Sequence, residues 1–157
     1  GQATSPYFDR IRLALTRSAA SLGPERSFAV VFWGIDGEVF AWPPSGLRHA
    51  TIDNVAALDH ATQDLIAFGR GQVEPALARA LALKPDQIVL VTGNFFLPDD
   101  FERTVVETWK KAGSPGRIHG VLVGQRDVLP PLSKVAQQTG GAYLCVPEGR
   151  LIELSRP

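Results

Sequence analysis

Four stretches of the chain are apolar nearly throughout: residues 27–34, 85–93, 117–124 and 142–146. Between them, apolar positions recur every three or four residues, as an amphipathic helix requires. Behind Ser5-Pro6, which reads as an N-cap and a first-turn proline, Phe8, Ile11, Leu15, Ser18 and Leu22 trace one helical face, ended by Gly23-Pro24. Asp53 is read as the cap of a second helix, with Val55, Leu58, Thr62, Leu65 and Phe68 inward and Gly69 and Gly71 as its stop. A third helix is expected after Pro75, with Leu77, Ala80 and Leu81 inward. A fourth opens at Pro98, presents Phe101, Val105 and Trp109, and ends at Gly113. Val128, Leu132, Val135 and Ala136 mark a fifth, stopped by Gly140-Gly141.

The run 27–34 predicts one continuous strand, and Asp36-Gly37 predicts a turn into a hairpin partner at residues 38–42. Residues 43–51 read as loop, and the segment 150–154 as a further hairpin strand returning across Glu148-Gly149. Strands that are apolar at successive positions, rather than at alternate ones, are buried on both faces. Their alternation with helices predicts a three-layer α/β/α, doubly wound, Rossmann-like domain with a mostly parallel sheet and one antiparallel edge hairpin. In such sheets ligands gather at the carboxyl ends of the strands. That singles out the loops at 1–6, 69–75, 93–99 and 124–128.

Composition narrows the function without assigning it. The 157 residues suit one domain. Lys plus Arg and Asp plus Glu both number 16, so no basic excess exists to neutralise phosphates, and nucleic acid is not an expected partner. No apolar run is long enough to span a bilayer, so this segment is expected to make no membrane contact. One cysteine, Cys145, excludes an internal disulfide and is expected in the core. The lack of any methionine, even at position 1, leads us to expect a trimmed product of a longer chain.

Catalytic and cofactor signatures are missing: the chain has no Gly-x-Ser-x-Gly, no His-Glu-x-x-His and no P-loop. Gly69-Arg70-Gly71 lacks the third glycine of a dinucleotide fingerprint. His49, His60 and His119 have no metal-ligand spacing, and Trp33 and Trp42 are read as packing residues. The expectation is therefore no cofactor and no catalysis.

"GQVEPALARALALKPDQIVLVTGN" (71–94), "RSFAVVFWG" (26–34) and "TGGAY" (139–143) together resemble a von Willebrand factor type A domain, particularly the bacterial kind. The resemblance implies a metal-ion-dependent adhesion site built from an Asp-x-Ser-x-Ser motif, a threonine and an aspartate. There a hard cation takes oxygen ligands and leaves one position open for a partner's carboxylate. Carried onto this chain, the threonine position falls on Val73 and the aspartate on Gly93, neither of which can ligate through its side chain. Aligning Ser5 with the last serine places Gly1 and Ala3 at the other two positions. One ligand of five remains, so the usual site is expected to be degenerate, with no metal.

The resemblance also implies a first, central strand ahead of Gly1, which this chain lacks. Three repairs are foreseen: neighbouring strands close up, residues 150–154 fill the sheet, or the open edge makes a homodimer. The functional expectation is a non-enzymatic protein–protein interaction domain of unknown partner. Gln72, Glu74, Asn94, Phe95, Phe96 and Asp99 are its candidate partner-binding residues. Asp99 and Asp100 are read mainly as complements to a helix dipole. The alternative is a small-molecule or nucleotide-binding enzyme domain on a generic doubly wound sheet.

Overall fold

The computed structural model describes residues 7–34, 38–66, 71–94, 96–124 and 127–150. Helix α1 spans Phe8–Ser21, followed by strands β1 (Ser27–Phe28), β2 (Val30–Trp33), β3 (Val39–Trp42) and β4 (Arg48–His49). Helices α2 (Ile52–Thr62) and α3 (Val73–Ala82) precede β5 (Gln87–Thr92). The chain continues through α4 (Phe101–Lys111), β6 (Arg117–Val123), α5 (Pro130–Gln138) and β7 (Tyr143–Val146).

Strands β5, β6 and β7 form a parallel sheet in that order, with Leu90 opposite Gly120 and Leu122 opposite Cys145. Its two faces are covered by different helices, as the two-residue period of a strand requires. On one face Leu90, Ile118 and Leu122 meet Leu77 and Leu81 of α3, Phe101 and Val105 of α4, and Leu132 and Val135 of α5. On the other, Val91, Val121 and Val123 meet Tyr7, Ile11 and Leu15 at α1. Gly120 is needed for this packing, since a Cβ there would lie 2.7 Å from Leu132 Cγ. Burying a leucine such as Leu132 completely stabilises the fold by roughly 1.5–3 kcal/mol.

The predicted continuous strand 27–34 is broken at Ala29. Phe28 pairs with Arg48, whereas Val30 pairs with Trp42, both antiparallel. The physical reason lies in the partner: Pro43 and Pro44 lack the amide hydrogen that a ladder needs, so the pairing splits around them. Residues 48–49, expected in a loop, thus become β4. The predicted hairpin of β2 with β3 is present, but every residue in those two strands is only half-buried. The expected single sheet is instead one parallel sheet and two small antiparallel pairs among the described residues. The neighbouring strands β2 and β5 do not close up on each other.

Other boundaries move for local reasons. Thr51, not Asp53, caps α2, its hydroxyl accepting the Asn54 amide at 3.3 Å. Asp53 lies two residues on, within the first turn, where it complements the helix dipole. Helix α2 ends at Thr62, and Leu65 lies beyond it, half-buried. Helix α3 begins two residues before Pro75, which is tolerated because first-turn amides have no partner within the helix. Helix α1 buries Ile11 and Ala19, while Ser18 and Leu22 are exposed. Val128, expected inward, is exposed, and Leu129 at the N-cap of α5 is buried in its place. Ser5, Pro6, Phe68, Gly69 and residues 151–154 lie outside the described residues.

Candidate functional site

At the carboxyl end of β5 the chain turns sharply. Thr92 and Gly93 are buried, and the Thr92 hydroxyl accepts the Asn94 amide at 3.0 Å. Asn94 Oδ1 in turn accepts the Phe96 amide at 2.9 Å, a side-chain mimic of a backbone turn. This turn leaves the Phe96 side chain outward, with the residue 84% exposed. Phe95 lies outside the described residues.

Across from this loop, the start of α3 is held against β2. A Cβ on Gly71 would lie 2.5 Å from Trp33 Cδ1 and 2.6 Å from the Gly34 carbonyl oxygen, so only glycine allows the approach. Gln72 then caps α3 by backbone alone, and Glu74 lies in its first turn, both exposed. Gln72, Glu74, Asn94 and Phe96 line one large cavity of about 2050 Å³, together with Trp33 and Thr92. Asp99 is exposed nearby but is not among the lining residues. Asp100 occupies the N-cap of α4 and lies 3.8 Å from Arg103.

Trp33 and the backbone at Gly71 are the participants that sequence reasoning missed. Gly71 was a usable signal, since a glycine outside a helix can mark a close backbone approach; it does not stop α2, which ends at Thr62, short of the expected stop. Trp33 packs against the main core from the cavity wall. Trp42, at the opposite end of the hairpin ladder from Trp33, stacks on Phe28 at 5.4 Å between ring centroids.

At the positions transferred from the adhesion site, Val73 packs against the apolar core and Gly93 is buried. Gly1, Ala3 and Ser5 lie outside the described residues. Among the described residues, no three or more His, Cys, Asp or Glu side chains gather as metal ligands would.

Cys145 is half-buried rather than fully enclosed. Its thiol contacts the Tyr143 hydroxyl at 3.3 Å and the Asp127 carbonyl oxygen at 3.4 Å. The same hydroxyl accepts the Leu129 amide at 2.9 Å. Burial foremost, and then the thiol, push the Tyr143 hydroxyl up to about 12, against the opposing pull of the Leu129 amide. This cluster sits at β7, away from the loops beside β5.

No family model matches the chain, and no curated protein matches it. Among solved structures, a von Willebrand factor type A from Catenulispora acidiphila is similar over 98% of this chain, with a TM-score of 0.72 and 18% identity. The chain spans 38% of that structure's length. At so low an identity the likeness speaks for architecture alone, and the chain has the fold of a bacterial von Willebrand factor type A domain.

Proposed function

We propose that this domain binds a protein partner, without catalysis and without a divalent ion, through the loops at the carboxyl end of β5. The observation that carries this reading is Phe96, a large apolar side chain held outward at 84% exposure by the Asn94 turn. An exposed aromatic rimmed by polar groups is the composition of a protein contact. Gln72, Glu74, Asn94 and Asp99 supply the polar rim, and Phe95 belongs to the same loop. Val73 and Gly93 support metal independence, because neither offers a ligating side-chain oxygen where a hard cation needs one.

Two measurements test this. A photo-crosslinking side chain placed at Phe96 should form one defined adduct that the same group at Ile52, also apolar and 88% exposed, does not. Equal labelling at both positions would remove the specific contact. Calorimetric titration with magnesium, manganese and calcium should show no micromolar site. Such a site, weakened by Glu74→Gln or Asp99→Asn, would overturn metal independence.

A second reading, a small-molecule or nucleotide-binding enzyme, draws on the large cavity beside β5. The cavity exceeds the roughly 300–1,000 Å³ of ordinary ligand pockets. Thermal shifts with nucleoside phosphates should be absent if the protein-binding reading holds. A homodimer through the edges of β2 and β5 that have no strand partner among the described residues would appear as a doubled mass in light scattering.

A further inference from the structure

The two ends of the large cavity differ in charge. Residues 83–86 join α3 to β5, so the two run oppositely, and α3 starts at the carboxyl end of β5. Gly71, just before that start, packs where β2 ends, so both strands finish at this end. The Gly34 amide donates to the Glu38 carbonyl at 2.9 Å, which brings Glu38 here as well. Three carboxylates, Glu38, Glu74 and Asp100, therefore line the mouth of the cavity beside Phe96. No lysine or arginine among the described residues lines this mouth. The two cations in the lining, Arg26 and Lys84, precede β1 and β5 at the opposite end, where Glu25 and Asp86 balance them.

The loop sequences carry the same contrast. Segments 34–38, 69–75, 93–100 and 124–129 hold six carboxylates against two arginines. At the other end, 22–27, 83–86 and 112–117 hold two carboxylates against three cations. The chain as a whole is neutral, so the acidic end is a local excess.

Helix dipoles account for part of that excess. Glu74 lies in the first turn of α3 and Asp100 at the N-cap of α4, and Asp100 also lies 3.8 Å from Arg103. Neither reason covers Glu38, which is exposed just ahead of β3. Among the described residues, neither Glu38 nor Glu74 makes an ion pair. Like charges gathered in this way repel one another, and an arriving cation relieves them.

The ring beside them favours one kind of cation. Phe96 is 84% exposed, and an aromatic face attracts Arg more often than Lys. A guanidinium can lie flat on a ring while its edge hydrogen-bonds to carboxylates, whereas an ammonium is a compact point charge. We propose that the partner of this surface is a positively charged protein segment, with one arginine stacked on Phe96 and its basic neighbours facing Glu38 and Glu74. This rests on the protein-binding reading above and supplies the chemistry of the partner. Such a segment needs no bridging ion, because it brings the positive charge itself. A carboxylate-bearing segment would meet the same excess as repulsion.

The test titrates residues 1–157 with three synthetic peptides, Gly-Arg-Leu-Arg-Leu-Arg-Gly and its lysine and glutamate counterparts, and follows amide signals by nuclear magnetic resonance. The arginine peptide should shift the signals of Gln72, Glu74, Asn94 and Phe96. Raising the salt from about 0.05 to about 0.5 M should weaken it by roughly tenfold. Glu38→Gln combined with Glu74→Gln should weaken it by a similar factor and leave the circular dichroism unchanged. Phe96→Ala should erase the advantage of arginine over lysine. No binding of the arginine peptide, or equal affinity in the doubly substituted chain, would overturn the proposal. Preference for the glutamate peptide, with or without magnesium, would do the same. A salt-sensitive doubling of mass would make a second copy the occupant and overturn the foreign segment. Crosslinking at Phe96 separates this proposal from the reading beneath it. A defined adduct that persists in the doubly substituted chain removes only the basic partner, whereas the lack of any adduct removes the protein contact itself.

Discussion

The two halves of this domain use the same residue types to different effect. From α3 onward, Leu77, Leu81, Leu90, Val105, Ile118, Leu122, Leu132 and Val135 form one continuous buried cluster between a parallel sheet and three helices. Before α3, the core is a small group of Ala19, Phe28, Ala50 and Leu58, and the hairpin beside it has no fully buried strand residue. The sequence of β2, Val-Val-Phe-Trp, is as apolar as that of β5. Each strand has one partner among the described residues, β3 or β6, and both line the large cavity. What differs is the packing: Leu90 of β5 is buried within the main cluster, whereas from β2 only Trp33, half-buried, packs against it. Burial therefore tracks neighbours rather than hydropathy, and local stability should follow burial.

The largest effect belongs to the continuous cluster. Leu132→Ala removes a fully buried side chain wedged against Gly120 and should destabilise the domain by about 3 kcal/mol, within the range of such truncations. Leu58→Ala, equally enclosed but in the smaller cluster, should lower global stability less, by roughly 2 kcal/mol. Urea denaturation of both variants measures the contrast directly. Equal losses would mean that the halves share one cooperative core.

That cooperativity has its own probe. Trp33 and Trp42 report on the hairpin, and Trp109 reports on α4, where its indole donates to the Pro115 and Gly116 carbonyls at 3.3 Å each. In a Trp109→Phe variant, fluorescence comes from the hairpin alone. Its urea midpoint should fall below the midpoint from far-ultraviolet circular dichroism, which is dominated by helical segments such as α1 to α5. Coincident midpoints would break the comparison between the halves.

The same contrast governs how much was legible in the sequence. The four apolar runs and the helices between them were readable because period and run length are local properties. Strands β5, β6 and β7 fell where their runs placed them, while α4 and α5 lie within their expected stretches but start at Phe101 and Pro130 rather than at Pro98 and Val128. The break at Ala29 was not readable, since its cause is Pro43-Pro44 in the partner strand, some 14 residues away. The capping role of Thr51 was readable but overlooked, because Asp53 competes for the same position by residue type. At the candidate site, the turn made by Asn94 and the gathering of Gln72, Glu74, Asn94 and Phe96 around one cavity depend on tertiary placement. The loop to watch was legible, but the outward Phe96 was not.

A polar lock within the stronger half should rank next. Thr139 is buried at the end of α5, and its hydroxyl accepts the Ile118 amide at 3.1 Å. The hydroxyl lies 2.9 Å from the Val135 carbonyl oxygen and 3.1 Å from that of Ile118, so it ties the helix to β6. Thr139→Val keeps the shape and orphans the amide, which should cost about 1–2 kcal/mol in a urea titration. Exchange of the Ile118 amide should accelerate in the same variant. A neutral substitution would show that β6 does not depend on this tie.

The smallest expected effect separates Tyr143, a half-buried residue of β7, from the exposed ring of Phe96 in the loop after β5. Tyr143 carries a hydroxyl pushed up to about 12, chiefly by burial and then by the Cys145 thiol. The unfolded chain loses the same proton near 10. Between those values the unfolded state binds fewer protons than the folded one, so stability falls as pH rises from about 10 to about 12 and is unaffected by this group below that window. Tyr143→Phe should flatten the fall in thermal midpoint across the window relative to the parent. Phe96→Ala, by contrast, removes a ring that contributes little to the core and should change stability by no more than about 0.5 kcal/mol at any pH. A larger loss at Phe96 would make it a structural plug for the loop rather than a surface held out for a partner.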